Sequence, residues 1–113
     1  MDKVKKNILI TGGLGFIGSH LAREYIRLGD NVSILSRSSD KKRNIVDIEN
    51  EVNLILKDIR DIDIEDVIDK DYIFHLAGTV DNYAIKEGQP YRDIEINCNG
   101  TIALLESVKN FNP

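Results

Sequence analysis

The stretch that decides the fold is Thr11-Gly12-Gly13-Leu14-Gly15-Phe16-Ile17-Gly18. It follows the apolar run Asn7–Thr11, which predicts a strand, and it leads into a stretch with helical periodicity. The diphosphate of a nucleotide binds where backbone amides can approach it, and side chains would block that approach. Glycines between a strand and a helix therefore favour dinucleotide binding over a simple structural turn.

Outward from this loop, apolar runs alternate with amphipathic stretches, which is typical of a parallel sheet covered by helices. The first helix is expected to bury one apolar face and to end with Gly29 at its C′ position. That face comprises Ile17, Leu21, Tyr25 and Leu28. The predicted strands are Asn7–Thr11, Val32–Ser36, Val52–Lys57 and Tyr72–Leu76.

The segments between and after these strands predict loops and helices. Arg37–Asn44 predicts a loop that passes into a short helix, and a short acidic helix is expected at Ile64–Ile68. Gly78–Pro90 predicts another loop. The longest periodic segment, from Tyr91 to about Asn110, predicts a long helix in which Gly100 is expected to approach a strand or a ligand closely. Its expected buried face comprises Ile94, Cys98, Thr101, Leu105 and Val108.

Composition and charge exclude several classes of protein. The 113 residues have room for one domain, and the net charge of −4 disfavours nucleic acid, whose binding depends on clustered Lys and Arg. The basic run Lys41–Arg43 is interpreted as a solvated loop or helix face. Because Cys98 is a single cysteine and the histidines are His20 and His75, neither an internal disulfide nor a metal site is predicted.

The first residues, Met1–Lys6, are charged and lead directly into the first strand. They contain no apolar region typical of a signal peptide, and no stretch of the sequence reaches transmembrane length. We therefore expect a cytoplasmic protein with no membrane partner.

The spacing of Gly12, Gly15 and Gly18 resembles that of the short-chain dehydrogenase/reductase family, and Gly-Gly-x-Gly-Phe-Ile-Gly resembles its extended branch, the NAD-dependent epimerases and dehydratases. The resemblance implies an α/β Rossmann-type domain over residues 1–113, with a parallel sheet in the order 3-2-1-4 and helices on both faces. It also implies that the three glycines hold the cofactor's pyrophosphate, with the backbone of Phe16 and Ile17 beside it.

The segment Lys57-Asp58-Ile59-Arg60-Asp61 extends the resemblance. In the family the matching acidic and hydrophobic pair lies against the adenine, so the resemblance gives that role to Asp58 and Ile59. The residues alone predict only that Asp58 caps a turn after a strand, which is the general expectation for Asp at that place.

Two later segments are also similar to family motifs. The backbone of Leu76, Ala77 and Gly78 is implied to line the ribose and diphosphate, and Asn97 is implied to lie near the cofactor in the Asn-x-x-Gly-Thr helix. A partner for Asn97 is expected, because Asn is unfavourable inside a helix. His75 is interpreted as a packed strand residue rather than a general base or a metal ligand.

The end of the second strand bears on the choice of cofactor. In NAD sites this strand commonly ends in an acidic residue that binds the ribose, but here Ser36 stands at that place. Arg37, Ser38 and Ser39 follow and could hold a 2′-phosphate. NADP is therefore preferred; in the alternative, NAD binds while Arg37 points to solvent or stacks on adenine.

The resemblance implies hydride transfer at nicotinamide, assisted by a Tyr with a Lys four residues later. No tyrosine here has that Lys, and no catalytic residue is assigned. The tyrosines are Tyr25, Tyr72, Tyr83 and Tyr91. Because the resemblance covers only the opening portion of longer family members, the full-length protein is expected to be an epimerase, dehydratase or reductase of an unspecified nucleotide sugar. The rivals are a non-catalytic NADP sensor and a purely structural βαβ module.

The predicted strand order leaves the fourth strand at an edge of the sheet. An exposed edge presents unpaired backbone groups that can pair with another chain. We therefore expect this chain to form a homodimer or to cover the edge by packing.

Overall fold

The structure is a computed structural model that describes residues 4–78 and 94–109. Four parallel strands form one sheet in the order β3-β2-β1-β4. The strands are β1 (Asn7–Thr11), β2 (Asn31–Ser36), β3 (Val52–Leu56) and β4 (Tyr72–His75). Each predicted strand is confirmed to within one residue at either end, and the predicted Rossmann-type order is confirmed.

Helices and short turns connect the strands. The α-helices are α1 (Phe16–Arg27), α2 (Ile64–Val67) and α3 (Gly100–Val108). A π-helical segment precedes α3, and the remaining short elements are 3₁₀ turns. The π-helical segment is Ile94–Asn99, and the 3₁₀ turns are Lys42–Ile45, Glu49–Glu51 and Ile59–Asp61. The predicted loop after Gly78 and the ends of the predicted long helix lie outside the described residues.

The sheet has a buried core on each face because side chains alternate along a strand. Ile8 and Ile10 of β1 face α1 and the turn that contains Ile45. Leu9 of the same strand faces the opposite core, which contains Leu104 of α3. Helices therefore cover both faces of the sheet, as the sequence predicts.

The buried face of α1 agrees with the expected one in part. Leu21 and Tyr25 are partly buried and pack against the core, whereas Ile17 is 69% exposed and Leu28 is 42% exposed. The fully buried residues are the small Gly18, Ser19 and Ala22, which the apolar periodicity does not identify. The end of the helix is as expected, since Gly29 follows the C-cap with φ +87°.

The buried face of the C-terminal helix also agrees with the expected one only in part, since Thr101 and Val108 are half-buried as expected. Ile94 and Leu105 are more than half exposed, whereas Ile96 and Leu104 are buried. A π-helical turn holds more residues than an α-helical one, so the segment Ile94–Asn99 turns the apolar pattern away from its predicted side.

Gly100 makes the close approach that the sequence predicts, but its neighbour is a turn rather than a strand or a ligand. A Cβ at this position would lie 2.6 Å from Cγ2 of Ile59. The glycine therefore seats α3 directly against the 3₁₀ turn after β3.

The amino end of the sheet is closed by carboxylates that accept backbone amides. Asp30 Oδ1 accepts the Lys6 amide at 3.1 Å, and Asp71 Oδ2 accepts the Asn7 amide at 2.7 Å. Asp30 is buried and lies at the end of the sheet away from the glycine loop. It cannot replace the ribose-binding carboxylate that is missing after β2.

Candidate cofactor-binding site

An open cleft of about 390 Å³ lies at the carboxyl ends of β1, β2 and β4. β2 and β3 lie on one side of β1 and β4 lies on the other, so the strand order reverses between β1 and β4. Ligands of open α/β sheets bind at such a reversal of strand order. Most of the predicted site residues line this cleft. They are Gly12, Gly15, Ser36, Arg37, Ser38, Asp58, Ile59, Leu76, Ala77 and Gly78. The predicted residues Phe16, Ile17, Gly18 and Asn97 lie outside its lining.

Three glycines of the loop are required by packing, and one of them is Gly13, where a Cβ would lie 2.6 Å from Cγ2 of Ile34. Gly12 has φ +70°, and a Cβ there would lie 2.8 Å from the Ala77 amide nitrogen. A Cβ on Gly18 would lie 2.7 Å from the Gly12 carbonyl oxygen. Gly12 thus lets the loop pass close to the end of β4, and Gly18 lets α1 pack against the loop.

Gly15 has a different role, because a Cβ at this position would meet only the Gly12 carbonyl oxygen, at 3.4 Å. Its backbone is extended and lines the cleft, so the missing side chain leaves open space rather than relieving a clash. Gly15 is also the N-cap of α1, where no side chain accepts an amide, and the first turn contains no acidic residue.

A diphosphate fits this arrangement. The first-turn amides of a helix lack intrahelical acceptors, and the helix dipole favours an anion there. Phe16 and Ile17 expose their side chains to solvent, so any contribution to binding would come from their backbone. The ligand would supply the acceptors that a capping side chain supplies in other helices.

The end of β2 supplies side chains to the cleft. Ser36 Oγ donates to the Ser38 carbonyl at 2.8 Å, and Ser38 Oγ accepts the Asp40 amide at 3.4 Å, which leaves the Ser38 proton to donate elsewhere. Arg37 and Lys41 also line the cleft. Sequence reasoning missed Asp40 and Lys41, because only the backward fold of the loop brings them to the site.

Lys41 and Arg43 are exposed, as the solvated interpretation of the basic run predicts. Lys41 also lines the open cleft, whereas its neighbour Lys42 pairs with Glu49 at 2.7 Å. Leu14, Leu35 and Ile96 are further lining residues that the sequence did not indicate as site residues. All three are buried apolar residues, and no chemical signal distinguishes them from other core positions.

Asp58 both caps a turn and lines the cleft. It accepts the Arg60 amide at 2.9 Å, which confirms the capping expectation. The Arg60 guanidinium binds its carboxylate through two nitrogens at 3.0 and 2.7 Å. This bidentate pairing, with a smaller contribution from nearby Arg37, lowers the pKa of Asp58 to about 2. Arg60 also reaches Glu95 at 2.8 Å, which ties the turn to the π-helical segment.

The end of β4 is held by a buried hydroxyl. Thr11 Oγ1 accepts the Ala77 amide at 3.1 Å and lies 2.7 Å from Nδ1 of His75. The other ring nitrogen of His75 lies 2.9 Å from Oγ1 of Thr101. His75 is therefore packed between a strand and a helix, as its interpretation as a strand residue predicts, and burial lowers the pKa of its imidazole.

Asn97 lies beside the cleft rather than in its wall. Its Oδ1 would lie 2.9 Å from a Cβ added to Gly78, so the glycine allows the helix to approach the end of β4. A position next to Gly78 agrees with the expectation that Asn97 has a specific neighbour.

Residues 4–78 and 94–109 contain no group of three or more His, Cys, Asp or Glu side chains arranged to hold a metal ion. None of the helices in these ranges has the length and apolar character needed to span a bilayer.

Comparison with known proteins gives consistent matches. A putative UDP-glucose 4-epimerase of Methanocaldococcus jannaschii is 34% identical over 92% of this chain and 34% of its own length. The structure of a UDP-N-acetylglucosamine 4-epimerase from Methanobrevibacter ruminantium, in complex with UDP-N-acetylmuramic acid, is 35% identical with a TM-score of 0.78, over 96% of this chain and 35% of that one.

A third match carries a dinucleotide. The structure of the Thermus thermophilus UDP-glucose 4-epimerase complex with NAD is 30% identical with a TM-score of 0.74, over 92% of this chain and 34% of that one. The chain thus spans about a third of the length of these relatives. The family model for the NAD-dependent epimerase/dehydratase family matches residues 8–113. The chain belongs to the NAD-dependent epimerase/dehydratase family.

Proposed function

We propose that this chain is the cofactor-binding portion of a sugar-nucleotide epimerase, dehydratase or reductase that oxidises and reduces a sugar through a bound nicotinamide. The observation that carries the proposal is the uncapped start of α1 at Gly15, open to a cleft at the point where the strand order reverses. The relatives named above support the substrate class, because nucleotide sugars appear in their names.

The described residues would bind and orient the cofactor. The amides after Gly15 would hold the diphosphate, while Asp58 and Ile59 would bound the adenine pocket. The backbone of Leu76 to Gly78 would lie along the ribose and diphosphate. The bound nicotinamide supplies hydride transfer. A Tyr with a Lys four residues later in the continuation of the reading frame would support an enzyme, and its absence there would support the NADP sensor.

We further propose that NADP is preferred to NAD, although NAD is the family's usual dinucleotide. Arg37 and Lys41 line the cleft, and neither is in a salt bridge within the described ranges. Binding of a 2′-phosphate would therefore break no existing salt bridge, although Arg37 also interacts electrostatically with the nearby Asp58 carboxylate. The Ser38 hydroxyl lies in the same wall. The carboxylate of Asp40, also in the wall, opposes this preference and makes a direct measurement necessary.

Titration calorimetry of the chain with NADP and with NAD tests both proposals. We expect NADP to bind about tenfold more tightly, and Arg37→Gln to remove most of that difference without weakening NAD. Arg43→Gln is the matched control, because Arg43 is a nearby cation outside the cleft lining. Tighter binding of NAD to the wild-type chain would contradict the NADP preference. Absence of binding by either dinucleotide would contradict the cofactor-binding function.

A cytoplasmic homodimer is the assembly and location that we propose. Tyr72 at the start of β4 is 46% exposed, and within residues 4–78 and 94–109 no strand pairs with the outer side of β4. Multi-angle light scattering is expected to show a dimer. A monodisperse monomer with an unprotected β4 edge in hydrogen exchange would refute this assembly.

A further inference from the structure

Five residues of the described chain form one continuous line of hydrogen bonds beside the cleft. The Ala77 amide donates to Thr11 Oγ1 at 3.1 Å, and this oxygen lies 2.7 Å from His75 Nδ1. His75 Nε2 lies 2.9 Å from Thr101 Oγ1, and Thr101 Oγ1 donates to the Asn97 carbonyl at 2.6 Å. The line runs from the end of β4, through β1, to the π-helical segment.

The direction of each bond follows from counting protons. A hydroxyl has one proton to donate, and the proton of Thr101 is used on the Asn97 carbonyl. Thr101 Oγ1 must therefore accept from His75, so Nε2 carries the imidazole proton. A neutral ring then has an acceptor at Nδ1, and the Thr11 hydroxyl donates to it while accepting from Ala77. With these assignments, each donor in the line has one acceptor, and no two donors point at each other.

The line joins three walls of the cleft. Thr11 is fully buried and immediately precedes Gly12 of the glycine loop. Ala77 lines the cleft after β4, and Asn97 approaches Gly78 from the π-helical segment. Because a neutral imidazole is a donor on one side and an acceptor on the other, His75 can connect two hydroxyls that belong to different elements. An aliphatic residue of similar size would fill the space without making the connection.

We infer that His75, as the neutral Nε2–H tautomer, is a positioning residue that fixes the glycine loop, the end of β4 and the Asn97 segment relative to one another. It acts through Thr11 and Thr101. Its effect on dinucleotide affinity rests on the proposed function, whereas its tautomer and its effect on the Ala77 amide do not.

The first experiment uses the complete chain without a ligand. Nitrogen-15 NMR of the His75 ring is expected to show a protonated Nε2 and an unprotonated Nδ1. Thr101→Val keeps the side-chain shape and removes the hydroxyl, so the Ala77 amide is expected to exchange with solvent about tenfold faster. Thr101→Ser keeps the hydroxyl and should exchange at close to the wild-type rate. The Asn31 amide, which donates to the Lys6 carbonyl at 2.9 Å at the amino end of the sheet and outside this line, reports any general loosening.

The second experiment measures dinucleotide affinity by calorimetry well below the melting temperature. Thr101→Val is expected to weaken binding about fivefold and Thr101→Ser to restore it, whereas a purely structural role would lower the melting temperature and leave the affinity unchanged. A protonated Nδ1 in the wild type overturns the inference, as does equal acceleration of the Ala77 and Asn31 amides. Unchanged affinity in a folded Thr101→Val chain overturns the inference that His75 positions the walls of the cleft.

If Thr101→Val fails to fold, the inference is tested by the wild-type tautomer and by His75→Gln, which retains a donor and an acceptor. Slow Ala77 exchange in His75→Gln but not in His75→Leu supports the inference, and equally fast exchange in both contradicts it. Failure of the wild type to bind any dinucleotide, with the expected tautomer and exchange pattern, contradicts the proposed function alone.

Discussion

The two ends of the sheet differ in whether side chains accept hydrogen bonds from the backbone amides there. At the amino end, the carboxylates of Asp30 and Asp71 accept the amides of Lys6 and Asn7. At the carboxyl end, α1 begins at Gly15 without a capping side chain and without an acidic residue in its first turn. The first end satisfies its donors from within the chain, and the second supplies no side-chain acceptor for them.

This difference separates structural polar groups from functional ones. Backbone amides lose free energy when they are kept from water without a partner, so a stable fold normally supplies acceptors for them. We therefore expect a ligand to bind at an end of the sheet that omits those acceptors beside a cleft. The four variants below test this distinction.

The largest expected effect is that of Gly12→Ala. The substitution puts a side chain on a residue with φ +70° and brings Cβ to 2.8 Å from the backbone of Ala77. We expect the free energy of unfolding to fall by about 4 kcal/mol, from backbone strain and overpacking together. Urea denaturation followed by circular dichroism measures this change. A loss below about 1 kcal/mol would show that the loop is not packed against β4 as described.

Gly15→Val is expected to reduce binding with little effect on folding. The backbone of Gly15 is extended, and its missing side chain faces the open cleft, so valine would occupy the ligand's space. We expect dinucleotide affinity to fall about a hundredfold, which calorimetry can measure. Gly29→Ala is the control with the opposite profile, because Gly29 has φ +87° and no neighbour within 4 Å of a Cβ. It should lower stability and leave affinity unchanged.

Asp30→Ala tests the amino end. The variant leaves the Lys6 amide without its carboxylate acceptor, and Asp30 is buried. We expect a loss of about 1–2 kcal/mol in the free energy of unfolding and no change in dinucleotide affinity. A weaker affinity in the folded variant would show that the two ends of the sheet are not independent.

The smallest effect is expected from Arg60→Met. Pairing with Arg60 lowers the pKa of Asp58 to about 2, so this variant should move that pKa back toward its ordinary value of 3.8. Glu95→Gln should leave the pKa near about 2, since Glu95 contacts a different nitrogen of Arg60. Carboxyl carbon-13 shifts measured against pH give both values.

The same pair makes stability depend on pH with a defined sign. A folded-state pKa below the unfolded one stabilises the fold fully above the unfolded value and loses its contribution as pH falls through the folded value. The contribution of Asp58 is therefore present above about pH 3.8 and is lost as the pH approaches about 2. Arg60→Met should lose this part of the acid dependence.

Much of the fold could be predicted from the sequence because local signals agree there. Continuous apolar runs gave the four strands, and Gly29 marked the end of α1. The two buried helix faces could be predicted only in part. α1 packs through the small residue Ala22 as well as through Leu21 and Tyr25, and the π-helical segment Ile94–Asn99 turns the register of the helix that follows.

The candidate site, like the fold, could be predicted from the sequence only in part. The glycines could be recognised because backbone chemistry restricts the residue type at each position. Lys41 and Ile96 could not, because their places in the cleft wall depend on how a loop folds back and on which face of a helix is buried. The line of hydrogen bonds through His75 also joins residues far apart in the sequence, so no local pattern predicts it.

The seat of α3 on the turn after β3 has a consequence for sequence variation. Ile59 lines the cleft on one side and meets the missing side chain of Gly100 on the other. A larger residue at position 100 needs a smaller one at position 59, which in turn would widen the cleft beside it. Replacements at these two positions are therefore expected to be tolerated in pairs rather than singly, so neighbours in space would constrain each other's divergence between homologues.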